Sequence, residues 1–199
     1  LWIRVASRAA EQGDLDLSRR YIEECYRVAK GRFVAIEAQC NMYFGHFALE
    51  AGDVEEAEAF FRRSRELAAS LDWGWWEANS LTMLLGVALR RGDVEAAESH
   101  GRAALAIYAA LESRTWALRA LAGLARAARA RGDLEHAGLF WGAAAAEGER
   151  TTWWEEHRAR WGDSLVDERR PEFLAAVQRG RELDLWDAVT IALGQDQTR

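Results

Sequence analysis

The sequence is poor in the residues that interrupt regular structure or link segments covalently. It contains one proline and two cysteines among 199 residues, and almost no stretch is rich in serine and glycine. Such a composition argues against long loops and disordered linkers. Two cysteines without a CxxC or Cys/His spacing do not build a disulfide scaffold or a metal site. We therefore expect Cys25, at an apolar helix position, to be a buried free thiol in a cytoplasmic protein.

A long apolar run and an excess of positive charge are also missing. No run of about 18 apolar residues occurs, so the sequence predicts no transmembrane helix, and no signal peptide is visible. The net charge of −6 gives no general reason to bind nucleic acid. The chain begins at a leucine inside a helical pattern, so we expect it to be a piece of a longer protein.

A Gly-Asp pair that occurs four times organises what is present. Half of the residues are apolar and 29% are charged, and alanine, leucine, glutamate and arginine dominate, which is typical of helices. The pairs recur at a nearly constant interval, and Leu or Val follows each of them. Their period of about 40 residues lies in the range that is typical of stacked structural units. The pairs are Gly13-Asp14, Gly52-Asp53, Gly92-Asp93 and Gly132-Asp133.

Each Gly-Asp pair predicts the turn between two helices. Glycine ends the first helix because it adopts the left-handed conformation without strain, and aspartate caps the next helix by accepting an early backbone N–H. Glu56 follows Asp53 three residues later, which predicts a full capping box. Apolar residues recur at helical spacing on both sides of the turns, as at Leu81, Leu84 and Leu85. A small residue stands five positions after each of the four glycines and lets the paired helices approach closely.

This pattern resembles tetratricopeptide (TPR) repeats, in which antiparallel helix pairs stack into a right-handed superhelix. The usual repeat has about 34 residues, and the additional residues here fit helices lengthened by nearly one turn each. HEAT and armadillo repeats also have this length, but the Gly-Asp turn followed by a small residue favours the TPR interpretation. We therefore predict an all-α fold: an α-solenoid of about four TPR-like antiparallel helix pairs over 1–150, with capping helices of the same domain over 151–199.

The repeat register ends after Glu149, where no fifth Gly-Asp turn follows. Pro171 predicts the first turn of a helix, and Asp184, with Asp187 three residues later, predicts the cap of a last short helix. Covering the last apolar face of the solenoid is the simplest role of this tail. The run "LAGLARAARARGDLEHAGLFWGAAAA", followed later by "FLAAVQRGRELDLWDAVTIAL", also resembles the carboxy-terminal end of large bacterial signalling ATPases, among them LuxR-type and maltose-activator-like transcription regulators.

That second resemblance implies a general role and no residue-level binding motif. In those proteins a TPR-like region follows a nucleotide-binding switch module and senses an inducer or holds a partner. The present sequence has no GxxxxGK[ST] and no recognisable DNA-reading module. We therefore expect this chain alone neither to hydrolyse ATP nor to read DNA.

The sequence offers little that predicts catalysis or metal binding. None of the four histidines has another histidine three or four residues away, so no helical metal pair is predicted. Glu155, Glu156 and His157 are consecutive and point in different directions, and nucleophile motifs and glycine-rich phosphate loops are missing. We therefore predict that the chain is not an enzyme and uses no metal or cofactor.

Ten tryptophans are the unusual feature of the composition. Trp76 and Trp116 are one repeat apart, near the start of successive first helices, and Trp73 and Trp153 are two repeats apart. Packing between long helices is one explanation; a stacking surface for a sugar, a nucleobase or a partner's apolar side chains is the other. Because Trp73, Trp75 and Trp76 cannot all face one core, we expect at least one to be partly exposed.

A concave groove lined by the first helix of each pair is the expected binding surface. Arg119, Arg126 and Arg129 share one side of a helix at i, i+7 and i+10, and Arg90 joins them from the neighbouring repeat. Arginines suit carboxylates and phosphates, although they also occur on faces that are merely solvated. The other predicted groove residues are Gln39, Met42, His46, Glu50, Asn79 and Thr82, with Trp76 or Trp116 at the edge.

Two functions follow from these features. The first is a non-catalytic ligand- or partner-binding sensor domain of a bacterial regulatory protein, such as a transcriptional regulator. Its groove would take a protein, a peptide or a small anionic effector. The alternative is a structural scaffold or dimerisation solenoid without a small-molecule site. We expect no direct contact with nucleic acid or membrane, and the mass of the protein in solution separates a monomeric groove-binder from a homodimer.

Overall fold

The described part of the chain is built from helices. The computed structural model describes residues 2–150, 165 and 168–194, and these form ten α-helices and no strand. The chain divides into two compact units, Leu1–Val87 and Ala88–Arg199. The helices are α1 Trp2–Glu11, α2 Leu15–Ala29, α3 Val34–Ala51, α4 Val54–Ala69, α5 Gly74–Arg91, α6 Val94–Ala110, α7 Arg114–Arg131, α8 Leu134–Gly148, α9 Pro171–Glu182 and α10 Leu185–Ala192.

The four Gly-Asp pairs are the predicted turns. Their glycines have φ values of 81°, 82°, 75° and 90° in chain order, all in the left-handed region that glycine adopts without strain. Each aspartate accepts a hydrogen bond from the backbone N–H three residues later and so caps the following helix. The distances are 3.0 Å from Leu17 to Asp14, 2.9 Å from Glu56 to Asp53, 3.0 Å from Ala96 to Asp93 and 3.1 Å from His136 to Asp133.

The full capping box predicted at Asp53 is wrong in one half. The aspartate side chain caps as expected, but the Asp53 N–H donates to the carbonyl oxygen of Ala48 at 2.9 Å. This bond closes the preceding helix through its left-handed glycine, as in a Schellman motif. The N–H that Glu56 would accept is therefore already used by the helix before the turn.

In the first unit, α3 packs against α2 and α4, and its core is filled by an aromatic ring. Phe61 of α4 is fully buried and lies over Gly45 of α3. A Cβ atom at Gly45 would stand 2.4 Å from the ring. Helix α3 can therefore approach Phe61 this closely only because residue 45 has no side chain. Met42 and Leu84 complete this part of the core.

In the second unit, α8 and α9 come close enough for their backbones to touch. A Cβ atom at Gly142 would stand 2.2 Å from the carbonyl oxygen of Val177, and one at Gly180 would stand 2.1 Å from that of Leu139. Gly138 gives a third such contact, 2.5 Å from the Phe173 carbonyl oxygen. The glycines therefore fix the distance between the two helices.

The ends of the tail helices are also as predicted. Pro171 is in the first turn of α9, and the Asp184 side chain accepts from the Trp186 N–H at 2.9 Å at the start of α10. Both helices contact α8, and the capping role of the tail stays a prediction. Residues 151–164, with Trp153, Trp154, Trp161 and the Glu155–His157 run, lie outside the described residues.

Candidate functional site

The predicted groove residues fall on both units. Seven belong to the first unit and five to the second. Those of the first unit are Gln39, Met42, His46 and Glu50 on α3 and Trp76, Asn79 and Thr82 on α5. Those of the second are Arg90 at the end of α5 and Trp116, Arg119, Arg126 and Arg129 on α7.

On α3 the predicted face divides into exposed and buried positions. Glu50 is exposed and Gln39 is half-buried, but the His46 ring lies edge-on to Phe61 with centroids 5.5 Å apart, so it packs on the core. Met42 is only 3% exposed and belongs to the core beside Phe61, so its assignment to a groove is wrong. The physical reason is that α3 packs against more than one neighbouring helix, so its buried surface is wider than one apolar stripe.

The tryptophan cluster at the start of α5 is packed and partly exposed at once. The Trp73 and Trp76 rings are stacked with centroids 5.0 Å apart, and the Trp75 ring centroid lies 5.4 Å from that of Trp76. All three side chains are half-buried, which confirms that at least one is partly exposed. The cluster thus combines a structural role with an aromatic surface that solvent reaches.

A buried hydroxyl network holds Trp76 in place. Its Nε1–H donates to Ser64 Oγ at 3.1 Å, and the Ser80 hydroxyl donates to the same oxygen at 3.1 Å. Ser64 in turn donates to the carbonyl oxygen of Ala38 at 2.9 Å. These bonds satisfy polar groups that would otherwise be buried without partners, and they connect α3, α4 and α5 within the first unit.

Asn79 and Thr82 are buried, although the sequence predicted that they face a groove. Residues 78–82 of α5 are all buried, so more than one full turn of the helix is enclosed. Thr82 donates its hydroxyl to the Ala78 carbonyl oxygen at 2.9 Å. Helical periodicity identified the core stripe at Leu81 correctly, but it does not reveal that the opposite side of this turn is also covered.

In the second unit, Arg119, Arg126 and Arg129 lie on α7, and the side of the helix that they share is called the α7 arginine face. The Arg119 guanidinium lies 5.6 Å from the centre of the Trp116 ring, a cation–π contact between two half-buried side chains. Arg126 and Arg129 are also half-buried, whereas Arg90 is exposed. The structure thus brings Trp116 and Arg119 together.

A carboxylate from the chain's own tail lies on this face. Arg129 Nε donates to Glu168 at 3.3 Å, and the Glu168 side chain is only 8% exposed. Arg170 donates to the same carboxylate at 2.9 and 2.7 Å, and the N–H groups of Arg169 and Arg170 donate at 3.1 Å. The Arg170 side chain and backbone hold the pKa of Glu168 at about 2, so the group is charged at neutral pH.

A second ion-pair group in this unit was not predicted. Arg114 donates to both oxygens of Glu147 at 2.6 and 2.8 Å and to Asp184 at 3.1 Å, and it lies 5.6 Å from the centre of the Trp186 ring. Hydrogen bonding to Arg114 lowers the pKa of Glu147. The cluster fastens the start of α10 to α7 and α8. Only its charged residue types were visible in sequence, because its members are 33 and 70 positions apart.

A small cavity in the second unit has too little room for an organic effector. Its volume is about 60 Å³, enough for a few water molecules. Glu98, Arg102, Arg131 and His136 contribute its charged lining, and Arg131 pairs with Glu98 at 2.7 Å. Arg131 also pairs with Asp133 at 3.1 Å, so carboxylates of the chain itself already meet this guanidinium.

Metal clusters and membrane-spanning helices are absent from the part of the chain that the structure describes. Within it, no group of three or more His, Cys, Asp or Glu side chains is arranged to hold a metal ion. None of the helices described is both long and apolar enough to cross a bilayer.

Comparison with known proteins identifies the fold. No protein-family model matches the chain, and no curated protein is similar to it in sequence. Two of the solved structures that are similar to the chain contain nearly identical TPR-like repeats from a kinesin light chain-like protein of Podosopora anserina. One is a point variant that is 18% identical to this chain with a TM-score of 0.61; the match covers 98% of this chain and 86% of the other. The second is 16% identical with a TM-score of 0.57, and the match covers 100% of this chain and 96% of the other. The chain therefore has a TPR-like α-solenoid fold, as predicted.

Proposed function

We propose that the chain is a non-catalytic binding module that recognises carboxylates of a protein or peptide partner on the α7 arginine face. The observation that carries this proposal is the contact of Arg129 with the buried Glu168 carboxylate. It is an example, within the molecule, of the ligand chemistry that this face accepts. TPR-like repeats commonly bind proteins or peptides, which agrees with a partner of this kind.

Trp116, Arg119 and Arg126 are the proposed contacts for the partner. The two arginines are two helical turns apart and so lie on the same side of the helix. A guanidinium binds a carboxylate through two parallel hydrogen bonds, and the Trp116 ring beside Arg119 keeps that side chain oriented. A small anionic effector would use the same groups. The exposed Arg90 remains a proposal as a further contact in this unit. Gln39, His46, Glu50 and Trp76 of the first unit are a separate proposal, from which the buried Asn79 is left out.

The wider role that we propose is that of a sensor domain in a cytoplasmic bacterial regulator, such as a transcriptional regulator. This part rests on the resemblance of the sequence from the fourth repeat into the tail. The proposal assigns the chain no reaction, since TPR-like repeats generally act without catalysis.

The test is a binding measurement with acidic peptides. Glutamate-rich peptides and matched glutamine-rich peptides are titrated into the chain at about 50 and about 200 mM salt, with intrinsic tryptophan fluorescence and calorimetry as readouts. We expect binding of the acidic peptides only, and weakening by higher salt because the charges are screened. The double substitution Arg119→Ala with Arg126→Ala should reduce affinity about tenfold or more.

The matched control is the double substitution Arg20→Ala with Arg27→Ala on α2, which removes two exposed arginines far from α7 in sequence. Its affinity should equal that of the unmodified chain. If the control and the α7 double variant lose affinity equally, net charge alone attracts the peptides and the proposed site is wrong. Binding that ignores both double substitutions places the site elsewhere.

A second candidate function is a scaffold that associates through the first unit. Trp2, Val5, Leu15 and Val28 of α1 and α2 are between 36% and 43% exposed, which leaves apolar side chains in contact with solvent. Light scattering separates the two functions: a dimer that becomes a monomer on Trp2→Glu favours the scaffold. A monomer that binds acidic peptides favours the binding module.

A further inference from the structure

The two cysteines stand at the repeat positions that two serines, Ser64 and Ser80, hold one repeat later. Cys25 on α2 follows Gly13 at the same interval at which Ser64 on α4 follows Gly52. Cys40 on α3 precedes the glycine of the next Gly-Asp turn at the same interval at which Ser80 on α5 precedes its own. The cysteine pair therefore stands in the repeat register where the next pair of helices has two serines.

The serine pair shows how close these two positions come. The Ser80 and Ser64 hydroxyl oxygens are 3.1 Å apart. Because α2 and α3 pack as neighbours and Cys25 packs against the cluster that holds Cys40, the same register brings the two sulfur atoms together. Cys40 is fully buried in a cluster with Ile22 and Phe47, and Cys25 packs against that cluster while remaining half-buried.

The surroundings of Cys40 keep its thiol protonated. Burial, together with the neighbouring Cys25 thiol, raises the pKa of Cys40 far above its ordinary value, so this group is a neutral thiol at physiological pH. Both cysteines are free. Cys25 is thus the thiol that solvent reaches, and Cys40 is the protected thiol beside it.

We propose that Cys25 and Cys40 are an oxidisable pair that forms an intramolecular disulfide between α2 and α3 when the protein meets a hydroperoxide. The half-buried Cys25 reacts first, and the buried Cys40 completes the bond. The product links the second helix of the first repeat covalently to the first helix of the second.

The steps balance with hydrogen peroxide as the oxidant. The Cys25 thiolate attacks one peroxide oxygen, the O–O bond breaks, and Cys25 becomes a sulfenic acid while the released hydroxide takes a proton to form water. The Cys40 sulfur then gives up its proton and attacks the Cys25 sulfur; the S–O bond breaks, and hydroxide leaves with that proton as a second water. Two thiols are oxidised by two electrons, and one peroxide is reduced to two waters.

The test treats the folded, reduced chain with hydrogen peroxide and then alkylates the remaining thiols after unfolding. We expect the unmodified chain to lose about 2 Da, to take up no alkyl group, and to give one peptide in which Cys25 and Cys40 are joined. Cys40→Ser should instead accumulate a sulfenic acid at Cys25 that dimedone traps. Cys25→Ser should retain an alkylatable Cys40, because its thiol is shielded.

The bond should also change stability in a reversible way. It closes a loop from 25 to 40, so the oxidised chain should melt about 5 °C higher than the reduced chain, and dithiothreitol should remove the difference. Chains joined through Cys25 into dimers, Cys25 oxidised while Cys40 stays alkylatable, or two unmodified thiols after oxidation would each overturn the proposal.

A register variant provides an independent check if the single variants fold poorly. In a chain with Cys25→Ser and Cys40→Ser, the substitutions Ser64→Cys and Ser80→Cys move the pair one repeat onward. Because both positions are fully buried, this variant is unfolded and refolded with oxidised glutathione instead of being treated in the folded state, and the same loss of about 2 Da is expected. Failure of this variant to link, while it remains folded, would contradict the argument from the repeat register.

Discussion

Two helix pairs of this molecule differ in what packs against their glycines. Between α3 and α4, Gly45 leaves space that the Phe61 ring fills completely. Between α8 and α9, Gly142 and Gly180 leave no space at all, because the backbone of the facing helix occupies it. In the first pair the glycine receives a side chain, and in the second it receives a carbonyl group.

The difference teaches what each contact can tolerate. The Phe61 ring belongs to a side chain, which can be replaced by a smaller one. A larger residue at Gly45 can therefore be accommodated by a second substitution at Phe61. A helix carbonyl cannot be shortened, so an added side chain at Gly142 must push α9 away. Glycine costs about 1 kcal/mol relative to alanine inside a helix, and both pairs offset that cost through packing.

The largest effect is expected from Gly142→Val. Its side chain would overlap the Val177 carbonyl, which lies 2.2 Å from the Cβ position, and the helices would have to separate. We expect a loss of about 3 kcal/mol of unfolding free energy and early loss of amide protection in α9. Chemical denaturation and hydrogen exchange measure the two quantities.

Gly86→Ala in α5 is the matched control, since no atom lies within 4 Å of its Cβ position. It should raise stability by up to about 1 kcal/mol, because alanine is the better helix former. If Gly142→Val leaves the protection of α9 unchanged, the backbone contact between α8 and α9 does not determine their distance.

A smaller effect is expected from Gly45→Ala, at about 2 kcal/mol, because the ring of Phe61 can shift a little. Adding Phe61→Leu should recover part of this loss, although Phe61→Leu alone destabilises. The double variant is then more stable than the sum of the two single changes implies. Strict additivity in denaturation experiments would contradict the contact between Gly45 and Phe61.

The smallest effect is expected where side chains rather than helix backbones make the contact. Arg114→Ala removes the ion pairs with Glu147 and Asp184, and because Arg114 is 36% exposed the loss should be at most about 1 kcal/mol. Arg150→Ala is the control, because this arginine meets the same glutamate at 3.3 Å but is 72% exposed. Its substitution should change stability less.

The effect of Arg114→Ala should depend on pH in one direction. Hydrogen bonding to Arg114 lowers the pKa of Glu147, and the Trp186 N–H and Arg114 lower that of Asp184. Groups with lowered pKa values stabilise the fold above their unfolded values, near about pH 4, and that stability disappears as the pH falls further. The difference between the variant and the unmodified chain should therefore shrink below about pH 4; a difference that grows there would contradict the pairing.

The sequence predicted what depends on neighbouring residues. The glycine turns, the aspartate caps and the start of α9 at Pro171 are local chemistry, and all are present. The candidate site was harder because it depends on distant residues. The burial of Met42 and Asn79 and the pairing of Arg129 with Glu168 come from packing between segments far apart in sequence, which helical periodicity does not contain.

The Gly-Asp turns have a consequence for the history of the chain. In all four, the aspartate N–H bonds an alanine carbonyl five residues earlier, at 2.9, 2.9, 3.0 and 2.9 Å, while its side chain bonds three residues ahead. The hydrogen bonds that close each turn thus lie within nine consecutive residues, and none of these bonds involves a residue outside that segment. A recombination event between two such turns adds or removes one block of about 40 residues and leaves an intact turn at the junction. The number of repeats is therefore a quantity that duplication and deletion can change while each turn keeps its own chemistry.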